Sequence, residues 1–231
     1  MTQEDDAHEP SSRRARLREA AALEIKQAAR DHLLRYGPGE LSLRAVARDV
    51  GLTPSALYRY FDSRGALVAA LSADALDSAA EAVSMAGADQ TRPPVERLRE
   101  MFVAMRAWSR THRSEFELIF ANRDDQTRPD IAQSEEMQRL VALPLSAALE
   151  GLADGSIVAG PRTAALSPAV VSAVAALPED VDQELLAHAM LVCTRCLGWL
   201  YVEHFGLGAW AVDDADAAFT AYLDGALGSG R

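Results

Sequence analysis

Cysteine is nearly absent: Cys193 and Cys196 are the only two in 231 residues, too few for a disulfide framework. The N-terminus lacks the basic region and apolar run of a secretory signal, so a reducing cytoplasm is the expected setting. Uninterrupted apolar runs are missing too. Glu184, Arg195 and Glu203 punctuate the most hydrophobic region before it reaches the roughly 18 to 20 residues that span a bilayer, and no membrane association is expected. No segment alternates apolar and polar residues as a strand does, and no motif repeats at a fixed period. The sequence has no phosphate-cradling glycine loop, nucleophile elbow or metal-binding histidine pair, and its glycines sit at helix ends or near the terminus. An enzyme is therefore not expected, nor a cofactor or a metal site.

What is present is a chain that folds. With 49% hydrophobic and 25% charged residues, it can build one sizeable core or two unequal ones. The net charge of −11 is unevenly spread: Pro10 to Arg64 holds 11 Lys/Arg against 6 Asp/Glu, and Gly65 to Arg231 holds 12 against 24. A basic head on an acidic body is favoured against phosphates only at the head.

Helical periodicity organises the chain. Residues 1–12 are expected as a disordered acidic tail. From Arg13, Leu17, Ala21, Ile25, Ala28, Ala29 and Leu33 recur at three and four, with Ser11 or Ser12 as N-cap and Gly37-Pro38-Gly39 as the stop. Ser42 is the expected cap of a short helix from Leu43 to Val50 that Gly51 ends, and Thr53-Pro54 opens another of about two turns. A longer alanine-rich helix begins near Arg64. Further helices are expected at about 94–111, 113–122, 133–153, 182–205 and 214–227. The glycine- and proline-rich stretch 154–181 is the least regular and holds at most one short helix around Ala169 to Ala176.

The two short helices flanking Gly51 form a helix-turn-helix. Val46, Ala47, Val50, Leu52 and Leu57 can face inward, leaving Thr53, Ser55, Tyr58, Arg59 and Tyr60 outside, a surface of hydroxyls, aromatics and a guanidinium suited to a major groove. A generic helical hairpin that docks another protein is the alternative. The run from Leu43 through Ala47, Gly51-Leu52-Thr53-Pro54-Ser55-Ala56-Leu57-Tyr58 and Arg59-Tyr60-Phe61 to Arg64 resembles the DNA-binding signature of the TetR family of repressors. The likeness extends from about Leu23 to Leu67.

That resemblance implies an all-α fold: an N-terminal three-helix DNA-binding head (13–66), joined by a long helix to a C-terminal helical ligand-binding and dimerisation domain (67–231). It implies repression of operator DNA relieved by a small-molecule inducer. Carried over by position, Arg44 reaches a base edge or phosphate. Thr53 holds a phosphate, Pro54, Ser55 and Ala56 lie nearest the bases, and Tyr58 and Tyr60 clamp phosphates. Arg59 is either a bidentate guanine reader or a phosphate contact. Arg64 stands where the family usually has lysine, keeping the charge but with a planar fork. The extension Arg13-Arg14-Ala15-Arg16-Leu17-Arg18 is either a DNA-contacting arm or a solvated face.

In the body, the helix at 182–205 is apolar almost all round, and Phe219, Tyr222, Leu223, Ala226 and Leu227 continue an apolar stripe at 214–227. These two segments are the expected homodimer interface, which is also the family's usual one. Met101, Met105 and Trp108 (with Phe102), Phe116 and Phe120, and Trp199 and His204 are candidate linings of a largely apolar ligand pocket, with simple core packing as the alternative. Cys193-Thr194-Arg195-Cys196 has redox or metal spacing, but no βαβ pattern, second cysteine pair or histidine set accompanies it; packing is expected, with thiol-redox sensing as the rival.

Overall fold

The computed structural model describes residues 9–121, 134–158, 182–207 and 213–228, with side chains from residue 13. Of the disordered tail expected over 1–12, residues 1–8 lie outside the described residues, as does the short helix expected around 169–176, whereas residues 9–12 are helical and open α1. Among those described, every regular element is helical. They are α1 (Glu9–Tyr36), a 3₁₀ turn (Pro38–Glu40), α2 (Leu43–Asp49), α3 (Pro54–Leu57), α4 (Arg64–Ala86), α5 (Pro94–Thr111), α6 (Arg113–Phe120), α7 (Glu135–Ala153), α8 (Gln183–His204) and α9 (Ala215–Leu227).

Local chemistry sets these limits. Ser63 Oγ accepts from the Ala66 amide at 3.0 Å to open α4, Ser134 Oγ does the same from Met137 at 3.2 Å for α7, and Asp182 and Asp214 cap α8 and α9. α1 begins at Glu9, so Ser11 and Ser12 lie within it instead of capping it. Ser42 occupies the N-cap position of α2 in extended backbone, but its hydroxyl makes no capping bond.

Two hydrophobic cores result. The head core joins Ile25, Ala29 and Leu33 of α1 to Leu41, Val46, Ala47, Leu57 and the first turns of α4, Leu67, Val68 and Leu71. The body core begins at Ala75 and Leu76 on the same helix and takes in α5, α7, α8 and α9. Packing thus changes sides within α4, between Leu71 and Ala75, beyond the 66/67 boundary expected from sequence. Leu118 of α6 also enters the head core. Asp74 fixes the two long helices to each other, accepting from Lys26 at 2.7 Å and from Arg30.

By length and composition α8 is the one helix among those described that could cross a membrane. It is instead a core helix, with Leu186, Ala189, Val192, Cys196 and Leu200 buried against the body. Arg106 of α5, itself buried, joins it to α9: it donates to both carboxylate oxygens of Glu203 at 2.7 Å and to the Ala215 carbonyl at 3.1 Å, pairs with Asp216, and lies 4.6 Å over the Phe219 ring. Those carboxylates hold the guanidinium pKa above its usual value, and Arg106 and Arg110 hold that of Asp216 below the ordinary carboxylate range.

Candidate nucleic-acid interface and ligand cavity

The helix-turn-helix is built from its turn outward. Gly51 adopts φ 70°, a conformation costly for any residue with a Cβ, and the chain reverses there so that the Leu52 amide donates to the Ala47 carbonyl at 2.8 Å. Leu57, completely buried, then anchors α3 in the head core. Thr53 Oγ1 accepts from the Ala56 amide and lies 3.2 Å from Ser55 Oγ, and the Thr53 carbonyl accepts from the Leu57 amide at 3.1 Å, so the first turn is capped.

On that scaffold Thr53, Pro54, Ser55, Tyr58 and Arg59 are exposed, Ala56 is half-buried, and Arg44 is exposed on the first turn of α2. Two residues depart from the reading of the sequence. Tyr60, expected on the outer face, is half-buried with its ring against the head core. The helix was expected to run two turns, but its regular part ends at Leu57. The Tyr60 amide then donates to Leu57 at 2.8 Å and the Arg59 amide to Ala56 at 3.2 Å, a tightening that swings Tyr60 inward.

Arg64 is the second departure. Its guanidinium donates to the carbonyls of Leu41, from Nε at 3.1 Å, and of Pro38 at 2.8 Å. It thereby ties the start of α4 to the loop before α2. A planar fork can hold two carbonyls at once where a lysine ammonium has no fixed geometry, which gives arginine a structural task at this position.

The basic extension of α1 runs back over the recognition helix. Arg18 donates to the Arg59 carbonyl at 3.2 Å, and Arg14, Leu17 and Arg18 face Leu52, Ala56, Arg59 and Tyr60 across a shallow groove. Arg14, Arg18 and Arg59 thus lie around one groove, an association invisible in a sequence that separates them by some forty positions.

The body holds an apolar cavity of about 80 Å³ where five helices meet. Val83 of α4, Met101, Phe102 and Met105 of α5, and Phe120 of α6 form one side; Met137, Leu140, Val141 and Pro144 of α7 and Cys193 and Leu197 of α8 form the other. No charged side chain lines it among the described residues.

Of the residues named from sequence, Met101, Phe102, Met105 and Phe120 lie on this wall, and four others do not. Trp108 donates through Nε1 to Ser78 Oγ at 3.1 Å and stacks on His112. His204 pairs through Nε2 with Glu117 Oε1 at 3.0 Å, against the ring of Phe116. Trp199 packs on Tyr222 and Phe219. Their partners lie on other helices, so periodicity along one helix gave no sign of them. Reasoning from sequence missed the α7 wall, whose aliphatic residues look like ordinary core, and Cys193.

Cys193 and Cys196 are both free and buried, and burial raises each thiol pKa to about 12. Neutral thiols are poor nucleophiles and poor metal ligands, which weighs against the redox reading. No group of three or more His, Cys, Asp or Glu side chains that could hold a metal occurs among the described residues.

One further surface is open. Tyr201 and Val202 of α8 and Phe205 at its C-cap are about two-fifths exposed, and Ala217, Ala221 and Gly225 of α9 are exposed. A Cβ added at Gly198 or Gly225 would meet nothing.

Comparison with known proteins gives these features a family. Residues 25–71 match the model of bacterial regulatory proteins of the tetR family, and residues 98–226 match that of the tetracyclin repressor-like C-terminal domain. HTH-type transcriptional regulator Rv1816 of Mycobacterium tuberculosis is 33% identical over 106 residues, covering 46% of this chain; the match spans less than half (45%) of that relative. Among solved structures, the regulatory protein SCO4313 superposes with a TM-score of 0.70 at 26% identity, covering 93% of this chain and 98% of that one. The TetR family transcriptional regulator PfmR from Thermus thermophilus shares the fold, with a TM-score of 0.55 at 18% identity over 90% of this chain and 98% of its own. With both the head and more than half of the chain, in its body, matched to that family's models, the chain belongs to the TetR family of transcriptional regulators.

Proposed function

We propose that this regulator is a ligand-responsive repressor that binds a palindromic operator as a homodimer and is released when a small molecule fills the cavity of its body. The observation that carries the reading is the continuity between cavity and head. Val83 and Phe120 line the cavity from α4 and α6, and Leu71 and Leu118 of the same two helices are buried in the head core. A ligand that alters the spacing of those helices is felt by the recognition helix without contact with DNA.

Thr53, Ser55, Tyr58 and Arg59, with Arg44, are the proposed DNA contacts. Tyr58, with the Thr53 hydroxyl and the Ser55 amide at the start of α3, serves phosphates, and Arg59 a base edge or phosphate. Pro54 and Ala56 shape the apolar floor of the same surface. Tyr60 and Arg64 support it from inside, holding the geometry instead of touching the duplex. The exposed faces of α8 and α9 supply the dimer contact, and two heads then reach successive major grooves about 34 Å apart. The two domains are the head, 13–66 with the first turns of α4, and the ligand-binding and dimerising remainder.

A gel shift with a fragment of the upstream intergenic region tests the reading. Binding is expected to weaken steeply with salt and to be lost in the Tyr58→Phe, Arg59→Ala double variant. Undiminished binding by that variant refutes the contact assignment.

A further inference from the structure

We infer that the body cavity takes an uncharged, hydrocarbon-rich molecule about the size of a single ring, and that Gly87 keeps the cavity open by stowing Met101. The inference deepens the inducer reading and rests on it only for the consequence at DNA.

The ligand class follows from the wall. Among its described residues the most polar group is the Cys193 thiol; the rest are aliphatic side chains, aromatic rings and the thioethers of Met101, Met105 and Met137. A carboxylate or ammonium entering there would lose its hydration with no counter-charge or strong hydrogen-bond partner among those residues to replace it, and such transfers are strongly unfavourable. An apolar molecule loses nothing comparable. The space is also small: about 80 Å³ is roughly half of the 150 Å³ or so of an engineered apolar cavity that holds benzene, so a single ring is the upper limit and enters only as the wall gives way around it. Three methionines line it, each unbranched and able to re-pack around a guest.

The role of Gly87 follows from one clash. Gly87 ends α4 at φ −92°, a conformation any residue adopts, so the backbone does not require glycine there. Packing makes the difference: a Cβ at this position would lie 2.0 Å from Met101 Cε and 3.1 Å from its Cγ, so the flexible end of that side chain would have to move. Met101 therefore rests over the bare backbone at the end of α4. Alanine at position 87 would turn that side chain out of its place, and the adjoining empty volume is the cavity.

Calorimetric melting of the full chain with toluene, benzoate and benzylammonium, matched in size and differing in charge, tests this. Toluene is expected to raise Tm by several degrees near saturation, and the two ions to leave it unchanged. Val141→Phe, which fills the cavity from α7, should abolish the toluene shift. Gly87→Ala should weaken it at least tenfold in concentration, and adding Met101→Ala should restore it. A shift with either ion that Val141→Phe removes, or no shift with toluene, overturns the ligand class. A Gly87→Ala protein that folds and responds like the parent overturns the stowing role. Should toluene bind yet leave DNA retention unchanged, the cavity assignment stands and the inducer reading falls.

Discussion

Leu118 and Phe120 stand two residues apart on α6 and belong to different parts of the molecule: Leu118 is buried in the head core beside α1, and Phe120 lines the cavity in the body. An eight-residue helix thus sends Leu118 into the head core and Phe116, Ile119 and Phe120 into the body. Leu118→Ala is expected to destabilise the protein by about 2–5 kcal/mol, the usual cost of emptying a buried leucine site. It should also loosen the head from the body. Urea unfolding followed separately by head and body probes checks this; a single unchanged transition would show that Leu118 carries no such connection.

Arg64→Lys is expected to lower stability by about 1–2 kcal/mol, because an ammonium cannot hold the Pro38 and Leu41 carbonyls in the same fork. DNA affinity at matched folded fraction should be largely kept, separating a positioning role from direct contact. A loss of affinity without loss of stability would reassign Arg64 to the phosphates.

The buried thiols give a pH signature. A thiol with a folded pKa near 12 and an unfolded one near 9 loses its proton first in the unfolded chain. The unfolded state then binds fewer protons, so stability is fully present below about pH 9 and declines as the pH rises from there towards 12. Each unit of difference is worth about 1.4 kcal/mol per thiol. Urea midpoints at pH 8 and pH 10 should differ more in the parent than in a Cys193→Val, Cys196→Ala variant. Equal slopes would mean the thiols are not desolvated as the packing implies.

Arg106 and Glu203 form a largely buried pair, so removing one partner should cost far more than removing both. Arg106→Met is expected to lose about 3–5 kcal/mol, and the Arg106→Met, Glu203→Met double variant to recover most of it. A double-mutant cycle measured in urea gives the answer, and additive losses would argue that the two side chains act independently.

Val202→Glu, on the exposed stripe of α8, is expected to yield a folded monomer that binds the operator fragment at least tenfold more weakly. Sedimentation equilibrium and the gel shift read the two effects. A variant that remains dimeric moves the interface elsewhere.

Local chemistry made the head legible before any coordinates. Gly51 had to reverse the chain, Thr53-Pro54 had to start a helix, and Leu57 had to face inward, because each obeys a rule confined to a few neighbouring residues. Tyr60 departs through a local tightening of the chain, but the other side-chain departures depend on distant residues. Arg64 reads as a free cation until Pro38 and Leu41 are placed beside it, and Trp108 looks like a pocket residue until Ser78, thirty positions away, takes its N–H. Periodicity identified the apolar faces of α5 and α6, but which part of each face is left uncovered is decided by α7 and α8. Cys193 shows the same limit: its spacing to Cys196 suggested chemistry, and its surroundings make it a wall.

The bond between Asp74 and the Lys26–Arg30 pair makes α1 a lever whose fulcrum sits on α4. Arg14 lies twelve residues from Lys26, about 18 Å along the helix at 1.5 Å per residue. A tilt of only about 5° at the fulcrum would carry that end through about 1.6 Å. Displacement on that scale breaks a hydrogen bond, so under the proposed function a slight tilt of α4 on ligand binding would be geared up where the arginines of α1 overhang the recognition helix.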